Sequence, residues 1–293
     1  MNQILLICLF LISSFSLLAQ QSRENLELIS INQLDPSFPS RFDLSGLTQD
    51  GERFYAVADK SHDRFIYEIE FKNSYWFIKD KIRIDIGKKL DLEGIDNCNG
   101  DFYLIDERSS SIYLYKDGKW SEFLINSEEH VRDLRIKGKN NGLEGIALDC
   151  ANNFLYLAKE RQPRYLLKIS LEDGTVIKKF NIPETDSNDY ADLSIENGFM
   201  YVLERNAYLI SKVDLNSLEV VSKFSFRNIC SEQGDKLYEP AKYGMAEALL
   251  ITEDEIWIGL DNNSLNASDF GRDTYGLTGN KPAILKFKRP DNF

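Results

Sequence analysis

The amino-acid sequence predicts an all-β fold, a propeller of five blades with four antiparallel strands in each, from three observations. A unit of about fifty residues recurs five times, and propeller blades are typically repeats of roughly 40 to 50 residues. Each unit contains four short segments that are apolar or alternate between apolar and polar residues, as β-strands do. Aromatic residues form 12% of the 293 residues, and aromatic side chains favour strands.

Each unit begins with a first and a second strand of recognisable type. The first-strand motifs are DLSGL at Asp43, DLEGI at Asp91, GLEGI at Gly142, ADLSI at Ala191 and GMAEA at Gly244. The second-strand motifs are, in the same order, FYAVADK, FYLIDER, LYLAKER, MYVLERN and IWIGLDN. The residues aligned as equivalent are 48, 51, 48 and 55 positions apart, and they are Ser45, Glu93, Glu144, Asp192 and Glu247. Helical repeats are usually shorter than this, so the spacing favours propeller blades.

Third and fourth strands follow in each unit after turn-forming residues. Third strands are SIYLYK (111–116), YLLKIS (165–170) and LISKVDL (209–215), and fourth strands are TVIKKFNI (175–182) and VVSKFSF (220–226). The fifth unit ends with a third strand, AILKFK (283–288). We therefore expect LELISIN (26–32), which precedes the first unit, to complete that blade and close the ring. A six-bladed ring, the alternative, needs a sixth start motif, which we do not find.

Charge and composition exclude several classes of function. The 35 lysines and arginines are outnumbered by 47 acidic residues, which gives a formal net charge of −12. Nucleic-acid binding is not expected, because it needs a basic surface. The two histidines, His62 and His130, are too few for metal sites built from several imidazoles. Carboxylates must therefore carry the chemistry.

The N-terminal residues have the composition of an export signal. Residues 1–20 contain no charged side chain, and Ile4 to Leu18 form an apolar run before Ala19. That run is shorter than the roughly 20 residues that span a bilayer as a helix. We therefore predict a signal peptide over residues 1–20, with an uncleaved anchor as the alternative. Residues 21–293 would form a single propeller domain, exported to the periplasm or secreted, monomeric and without a membrane span.

Three cysteines remain after removal of the signal peptide: Cys98, Cys150 and Cys230. An odd number allows at most one disulfide and one free thiol in an oxidising compartment. None of the three has a partner at metal-ligand spacing. The sequence favours buried, reduced cysteines over a Cys98–Cys150 disulfide.

One position in each unit lies at the start of the inner strand, where a propeller lines its central channel. One hydroxyl and four carboxylates occupy it: Ser45, Glu93, Glu144, Asp192 and Glu247. Carboxylates in a narrow channel repel one another unless a cation lies among them. Hard oxygen ligands without histidine favour Ca²⁺ over zinc or magnesium. The alternative is that backbone amides and water satisfy these side chains in a solvated channel.

A second set of charged residues follows the second strands, which end at the same face of the ring. Four of the five units place a cation after an acid there, and the cations are Lys60, Arg108, Arg161 and Arg205. Inward acids would extend the metal shell, and the cations would form a mouth for phosphate or carboxylate. His62, just beyond the first pair, is a candidate general acid or base. The alternatives are salt bridges between blades and a solvated His62.

Two pairs of motifs carry a family resemblance: NGLEGIALD (141–149) with LYLAKERQPRYLLKI (155–169), and DLEGI with FYLIDER. They resemble the phytase-like domain family, also described as having esterase-like activity of phytase, and the related SdiA-regulated exported propellers. The order of one serine and several glutamates is also similar to that in calcium-activated nucleotidases of the apyrase type. That likeness implies calcium ligands at Ser45, Glu93, Glu144 and Glu247, with Asp192 or Ser194 in the remaining place. The Asp-rich clusters of true β-propeller phytases are not found.

The sequence as a whole predicts an exported calcium-binding propeller of phytase-like type. The favoured function is calcium-dependent hydrolysis of a small anionic phosphoester at the channel mouth, where the cations would neutralise developing charge. The alternative is a non-catalytic propeller with a structural calcium that binds a glycan, a peptide or a component of the cell envelope.

Overall fold

Five sheets form the protein, and each holds the four antiparallel strands that the repeat predicts. The computed structural model describes residues 22–59, 64–134, 142–161, 163–230, 236–239 and 245–293. Two strands precede the first blade, β1 (Ser22–Asn25) and β2 (Leu28–Gln33). Blade 1 contains β3 (Leu44–Asp50), β4 (Arg53–Ala58), β5 (Phe65–Lys72) and β6 (Tyr75–Arg83).

The next two blades are separated by a short helix, α1 (Glu128–Leu134). Blade 2 contains β7 (Leu92–Cys98), β8 (Asp101–Asp106), β9 (Ser111–Lys116) and β10 (Lys119–Phe123). Blade 3 contains β11 (Leu143–Asp149), β12 (Phe154–Lys159), β13 (Tyr165–Ser170) and β14 (Val176–Phe180).

The last two blades carry two further helices, α2 (Arg227–Cys230) and α3 (Asp269–Tyr275). Blade 4 contains β15 (Asp192–Glu196), β16 (Phe199–Glu204), β17 (Leu209–Asp214) and β18 (Val220–Ser225). Blade 5 contains β19 (Ala246–Ile251), β20 (Glu255–Leu260) and β21 (Ala283–Lys288). Among the described residues, no helix has the length and apolar character needed to cross a membrane.

Strand β2 closes the ring, which confirms the prediction for the N-terminal segment. It pairs antiparallel with β21, with Leu28 opposite Phe287 and Gln33 opposite Ala283. Strand β1 was not predicted. It adds a fifth strand to blade 4, parallel to β18, with Ser22 opposite Ser222. The N-terminal segment therefore joins the outer edges of blades 4 and 5.

The first strands of four blades share one irregularity. Their pairing with the second strand skips one residue, and the skipped residues are Ser45, Glu93, Glu144 and Glu247. A β-bulge of this kind re-aims a side chain and bends the strand. The glycine after the bulge allows a close approach to the next blade: a Cβ on Gly94 would lie 3.1 Å from Ile146 Cγ2. The EGI motif thus combines a redirected acid with a tight contact between inner strands.

Apolar side chains fill the spaces between neighbouring blades. Ile105, Leu143 and Leu157 belong to a cluster shared by blades 2 and 3, and Val57 and Leu104 belong to one shared by blades 1 and 2. Burial of each large aliphatic side chain contributes about 1.5–3 kcal/mol. The ring is therefore a rigid support for the residues at its face.

A disulfide joins Cys98 to Cys150, so the prediction of reduced cysteines at these positions is wrong. Cys98 ends β7 and Cys150 follows β11, and their Cα atoms are 5.8 Å apart. These are corresponding ends of inner strands in adjacent blades. The five-bladed repeat brings the two cysteines together, so the alternative that the sequence left open, a Cys98–Cys150 disulfide, is the correct one.

Replacing Cys150 with serine is expected to lower the free energy of unfolding by about 4 kcal/mol, because the bridge closes a loop over 52 positions. Urea unfolding of the variant and of the oxidised wild type measures the difference. Cys230→Ser is the control, since it leaves the bridge intact. Equal midpoints for the oxidised and the reduced wild type would contradict the prediction.

Candidate functional site

A cavity of about 540 Å³ lies where the first strands begin and the second strands end. Among the residues that line it are nine acids: Asp59, Asp91, Glu93, Glu107, Glu144, Glu160, Asp189, Glu247 and Asp261. Two arginines, Arg161 and Arg205, also line it. The described part of the cavity is therefore strongly negative, which agrees with the acidic channel predicted from the sequence.

Four of the five aligned channel residues meet in this cavity: Ser45, Glu93, Glu144 and Glu247. Each is the bulged residue of its inner strand. The Ser45 hydroxyl donates to the carbonyl oxygen of Leu92 at 2.6 Å, in the inner strand of the next blade. Its oxygen retains lone pairs that can accept or coordinate.

The fifth aligned residue, Asp192, lies elsewhere, because blade 4 has no bulge. Asp192 is paired with Leu203 of the second strand. The corresponding pair in blade 2 is Gly94 with Ile105, so Asp192 takes the place of the residue after the bulge and not of the bulged residue. Its carboxylate accepts the backbone amides of Leu193 and Leu249, each at 2.8 Å. Burial raises the pKa of Asp192 well above its usual value, although these amide hydrogen bonds oppose the shift. Asp192 therefore ties blade 4 to blade 5 instead of facing the cavity.

Replacing Asp192 with asparagine is expected to lower the free energy of unfolding by about 1–3 kcal/mol, because an amide NH₂ would face backbone N–H donors in a buried place. Calcium binding should stay close to the wild-type value, since the side chain does not line the cavity. Thermal unfolding and calcium calorimetry of the folded variant test the two halves separately. Loss of calcium affinity at unchanged stability would return Asp192 to the list of ligands.

A second ring of charged residues follows the second strands. In each of four blades, the residue that lines the cavity after the second strand is an acid. Its backbone amide donates to the carbonyl oxygen of the residue two positions before the bulge of the first strand. The four acids are Asp59, Glu107, Glu160 and Asp261. The shared bond extends the pairing of the two inner strands by one residue. It places the four acids beside the bulged residues, at one level of the cavity.

In blade 4 the second ring holds an arginine. Glu204, the last residue of β16, is fully buried and accepts the amide of Ser187 at 2.6 Å and the hydroxyl of Ser211. The next residue, Arg205, lines the cavity. The predicted order, with the acid inward and the cation at the mouth, is therefore wrong for blade 4, where Arg205 faces the cavity.

Three glutamates of blades 2 and 3 lie close enough together to hold one cation. Glu107, Glu144 and Glu160 each offer a carboxylate oxygen, and these oxygens lie within 4.8 Å of one another. The amide of Gly142 donates to Glu107 Oε1 at 3.1 Å. A Cβ on residue 142 would lie 2.0 Å from Glu107 Cγ, so glycine is required beside this side chain. Glu160 is 1% exposed, and its Oε2 has no hydrogen-bond partner among the described residues.

Burial and mutual repulsion raise the pKa values of the cavity acids. Burial raises the pKa of Glu93 well above its usual value, and the charges of Glu144 and Asp59 add to it. Burial likewise raises the pKa of Glu144, with Glu247 adding to it. Burial is also the main cause of raised pKa values for Glu107 and Asp261. The cavity therefore favours a bound cation or bound protons.

The cations expected at the mouth are placed differently from one another. Arg108 is half exposed, binds Asp91 at 2.8 Å and does not line the cavity. Arg161 lines the cavity with 37% of its side chain exposed, and it donates to Glu160. Arg205 is buried among carboxylates. Lys60 and His62 lie outside the described residues. The structure thus brings two of the four cations into the cavity.

Solved structures of other proteins resemble the chain at low sequence identity. A glutaminyl cyclase from Myxococcus xanthus superposes with a TM-score of 0.58 at 9% identity, and the match covers 92% of this chain and 97% of that one. A gluconolactonase from Xanthomonas campestris gives a TM-score of 0.47 at 10% identity, over 83% of this chain and 72% of that one. At such identity the first likeness shows the fold alone.

No curated protein matches the sequence, and the resemblance to phytase-like proteins and nucleotidases stays a prediction. A family profile does match. The profile described as SdiA-regulated covers residues 35–240, a range that begins before β3 and ends before β19. That range is more than half of the sequence and contains four of the five blades, so the chain belongs to the SdiA-regulated family.

Proposed function

We propose that the cavity binds calcium, with Glu107, Glu144 and Glu160 as its central ligands. The observation that carries the proposal is the close approach of these three carboxylates in a cavity with many more acids than arginines. Calcium takes about 6 to 8 oxygen ligands in flexible geometry. Three carboxylates supply some of them, and nearby oxygens or water complete the shell. The lining contains neither histidine nor cysteine, so the described donors suit a hard cation better than zinc.

The proposed activity is calcium-dependent hydrolysis of a small phosphate ester at the cavity mouth. The cavity of about 540 Å³ falls within the range of about 300–1,000 Å³ that ligand sites occupy. Its acids would repel a free anion, so a phosphoryl group needs the cation as its partner. A bound divalent cation polarises phosphoryl oxygens and lowers the pKa of water. Arg161, partly exposed at the same cavity, would neutralise charge on the substrate.

A panel of phosphate monoesters and diesters, assayed with calcium and with EDTA, tests the activity. Turnover that EDTA abolishes and that falls at least tenfold in Arg161→Gln supports the hydrolase. Arg53→Gln is the matched control, because Arg53 is an exposed arginine paired with Asp50 at the far end of the inner strand. A folded protein that binds calcium and turns over none of the esters would overturn the activity and leave the metal site.

One observation favours a non-catalytic propeller with a structural calcium as the second candidate. Both arginines that line the described cavity already donate to its own carboxylates, Arg161 to Glu160 and Arg205 to three acids. A substrate phosphate would compete with these partners. Binding of a glycan, a peptide or an envelope component without turnover is the outcome that would select this candidate.

We also propose that the protein is exported after removal of residues 1–20. The Cys98–Cys150 disulfide supports this, because such bonds persist mainly in oxidising compartments. Intact-mass measurement of the protein recovered from its own cells should give a chain that begins at residue 21 and has lost two hydrogens to the disulfide. A cytoplasmic protein that retains its N-terminal residues would contradict the proposal.

A further inference from the structure

Arg205 is fixed by carboxylates that come from three separate parts of the ring. Its Nε donates to Asp189 Oδ2 at 3.3 Å, in the loop before blade 4. Its Nη2 donates to Glu160 Oε1 at 2.6 Å, in blade 3, and its Nη1 donates to Glu247 Oε1, in blade 5. The side chain is 9% exposed. Burial opposes the charge of Arg205, but the neighbouring Glu247, Glu144 and Asp189 outweigh burial and raise its pKa above the usual value.

Asp189 is itself held in place. It accepts hydrogen bonds from the hydroxyl of Ser187 and from Asn206 Nδ2, the latter at 2.5 Å. The amide of Ser187 is bound to the buried Glu204. The position of the guanidinium is therefore set by a hydrogen-bonded loop, and the planar fork of arginine transmits that position to both of its other partners.

Arg205 engages only one oxygen of Glu160 and one of Glu247. The second oxygen of each, Oε2, is buried and has no hydrogen-bond partner among the described residues. A buried carboxylate oxygen without a donor is costly and rare in native proteins. Both side chains line the cavity, and Glu160 belongs to the group of three carboxylates that can hold a cation.

We infer that Arg205 is a positioning residue for the cation: it engages Oε1 of Glu160 and of Glu247, and so presents their Oε2 atoms to the metal. This inference rests on the proposed calcium site. A rival account treats Arg205 only as a counter-charge for an acidic cavity. The two accounts predict opposite changes in calcium affinity when Arg205 is replaced by a neutral residue. Removal of a positive charge near the site should tighten calcium binding by electrostatics alone, whereas loss of positioning should weaken it.

Calorimetric titration of the mature chain with CaCl₂ separates the two accounts. Arg205→Gln is expected to weaken calcium binding about 10–100-fold, the usual cost of losing a group that orients a metal ligand. Arg205→Lys should also weaken binding, because lysine keeps the charge but cannot hold both carboxylates in one plane. Asp189→Asn weakens the Nε contact and removes one negative charge from the cavity lining, and it should weaken calcium binding by less than Arg205→Gln does. Arg53→Gln is the matched control for loss of one arginine and should bind as the wild type does.

Tighter binding in Arg205→Gln with unchanged binding in Arg205→Lys would overturn the inference and support the counter-charge account. If circular dichroism shows that Arg205→Gln does not fold, the Arg205→Lys variant decides between the accounts. Weaker calcium binding by Arg205→Lys supports the positioning role, and unchanged binding overturns it. A wild-type protein that binds no calcium would refute the proposed site itself. That result is distinct from any difference between variants.

Discussion

Replacing Glu144 with glutamine is expected to remove most of the stabilisation that calcium gives and to make the calcium-free protein more stable. The two effects have one cause. Burial and the charge of Glu247 raise the pKa of Glu144 well above its usual value, so its ionised form destabilises the folded chain when no cation is present. Glutamine has nearly the same shape and no charge. It therefore relieves repulsion, but it also removes one of the three carboxylates that lie within 4.8 Å of one another.

The expected size of the effect follows from binding linkage. Calcium at a hundred times its dissociation constant stabilises the folded chain by about 2.7 kcal/mol, which corresponds to a rise of about 5–10 °C in the melting temperature. A hundredfold weaker site under the same conditions leaves only about 0.4 kcal/mol. Melting curves of wild type and Glu144→Gln, with calcium and with EDTA, measure both effects.

Glu172→Gln is the matched control, because it makes the same chemical change in the same blade. Glu172 is exposed in the turn between β13 and β14, at the end of the blade away from the cavity. The Glu172→Gln variant should have the melting temperature of the wild type, both with calcium and with EDTA. Equal calcium shifts in all three proteins would refute the assignment of Glu144 as a ligand.

The calcium-free protein is expected to lose stability as the pH rises from about 5 to 8. The folded pKa values of Glu93, Glu144, Glu247, Glu107 and Asp261 are raised, mainly by burial. A carboxylate with a raised folded pKa binds protons more tightly in the folded chain than in the unfolded one. The stability that this proton binding gives the folded chain is complete below the unfolded pKa, which is near 4.5 for glutamate. It is lost as the pH rises through the folded pKa.

Calcium should reverse this dependence, because it takes the place of the protons. At neutral pH its binding should release protons, and the observed enthalpy should then vary with the ionisation enthalpy of the buffer. Titrations in phosphate-free buffers of different ionisation enthalpy, together with melting curves across the pH range in EDTA, test the prediction. A calcium-free melting temperature that rises steadily from pH 5 to 8 would contradict it.

Much of the ring is readable in the sequence, because each blade repeats both the pattern of apolar residues and the bulge. The EGI motif marks the bulge in blades 2 and 3, and GMAEA keeps the acid in blade 5. Blade 4 reads ADLSI, with leucine where the others have glycine or alanine. That difference was the available signal that Asp192 is out of register, and the alignment by acidity concealed it.

The sequence also carries a signal for the place of Arg205. The sixth residue of the second-strand motif is an acid in four blades and Arg205 in blade 4. Aligning each acid with the cation that follows it concealed this, because the pair Glu204–Arg205 lies one position earlier in its motif than the pairs of the other blades. Asp189 had no such signal, because it lies in the loop before blade 4, outside the repeated motifs. Loops and registers depend on contacts between segments, and these contacts are not encoded locally.

The pairing of β2 with β21 joins the two ends of the chain, and this constrains when the protein becomes complete. The chain is synthesised from its N-terminal end, so β2 has no partner until residues 283–288 exist. Contacts between distant segments form slowly, since the intervening chain must first be ordered. Blades 1 to 3, and the four antiparallel strands of blade 4, each lie within a shorter stretch of chain and can assemble earlier. Closure of blade 5 is therefore the expected last step of folding, and a nascent chain that does not yet contain β21 remains an open ring with unpaired edges at β2 and β20.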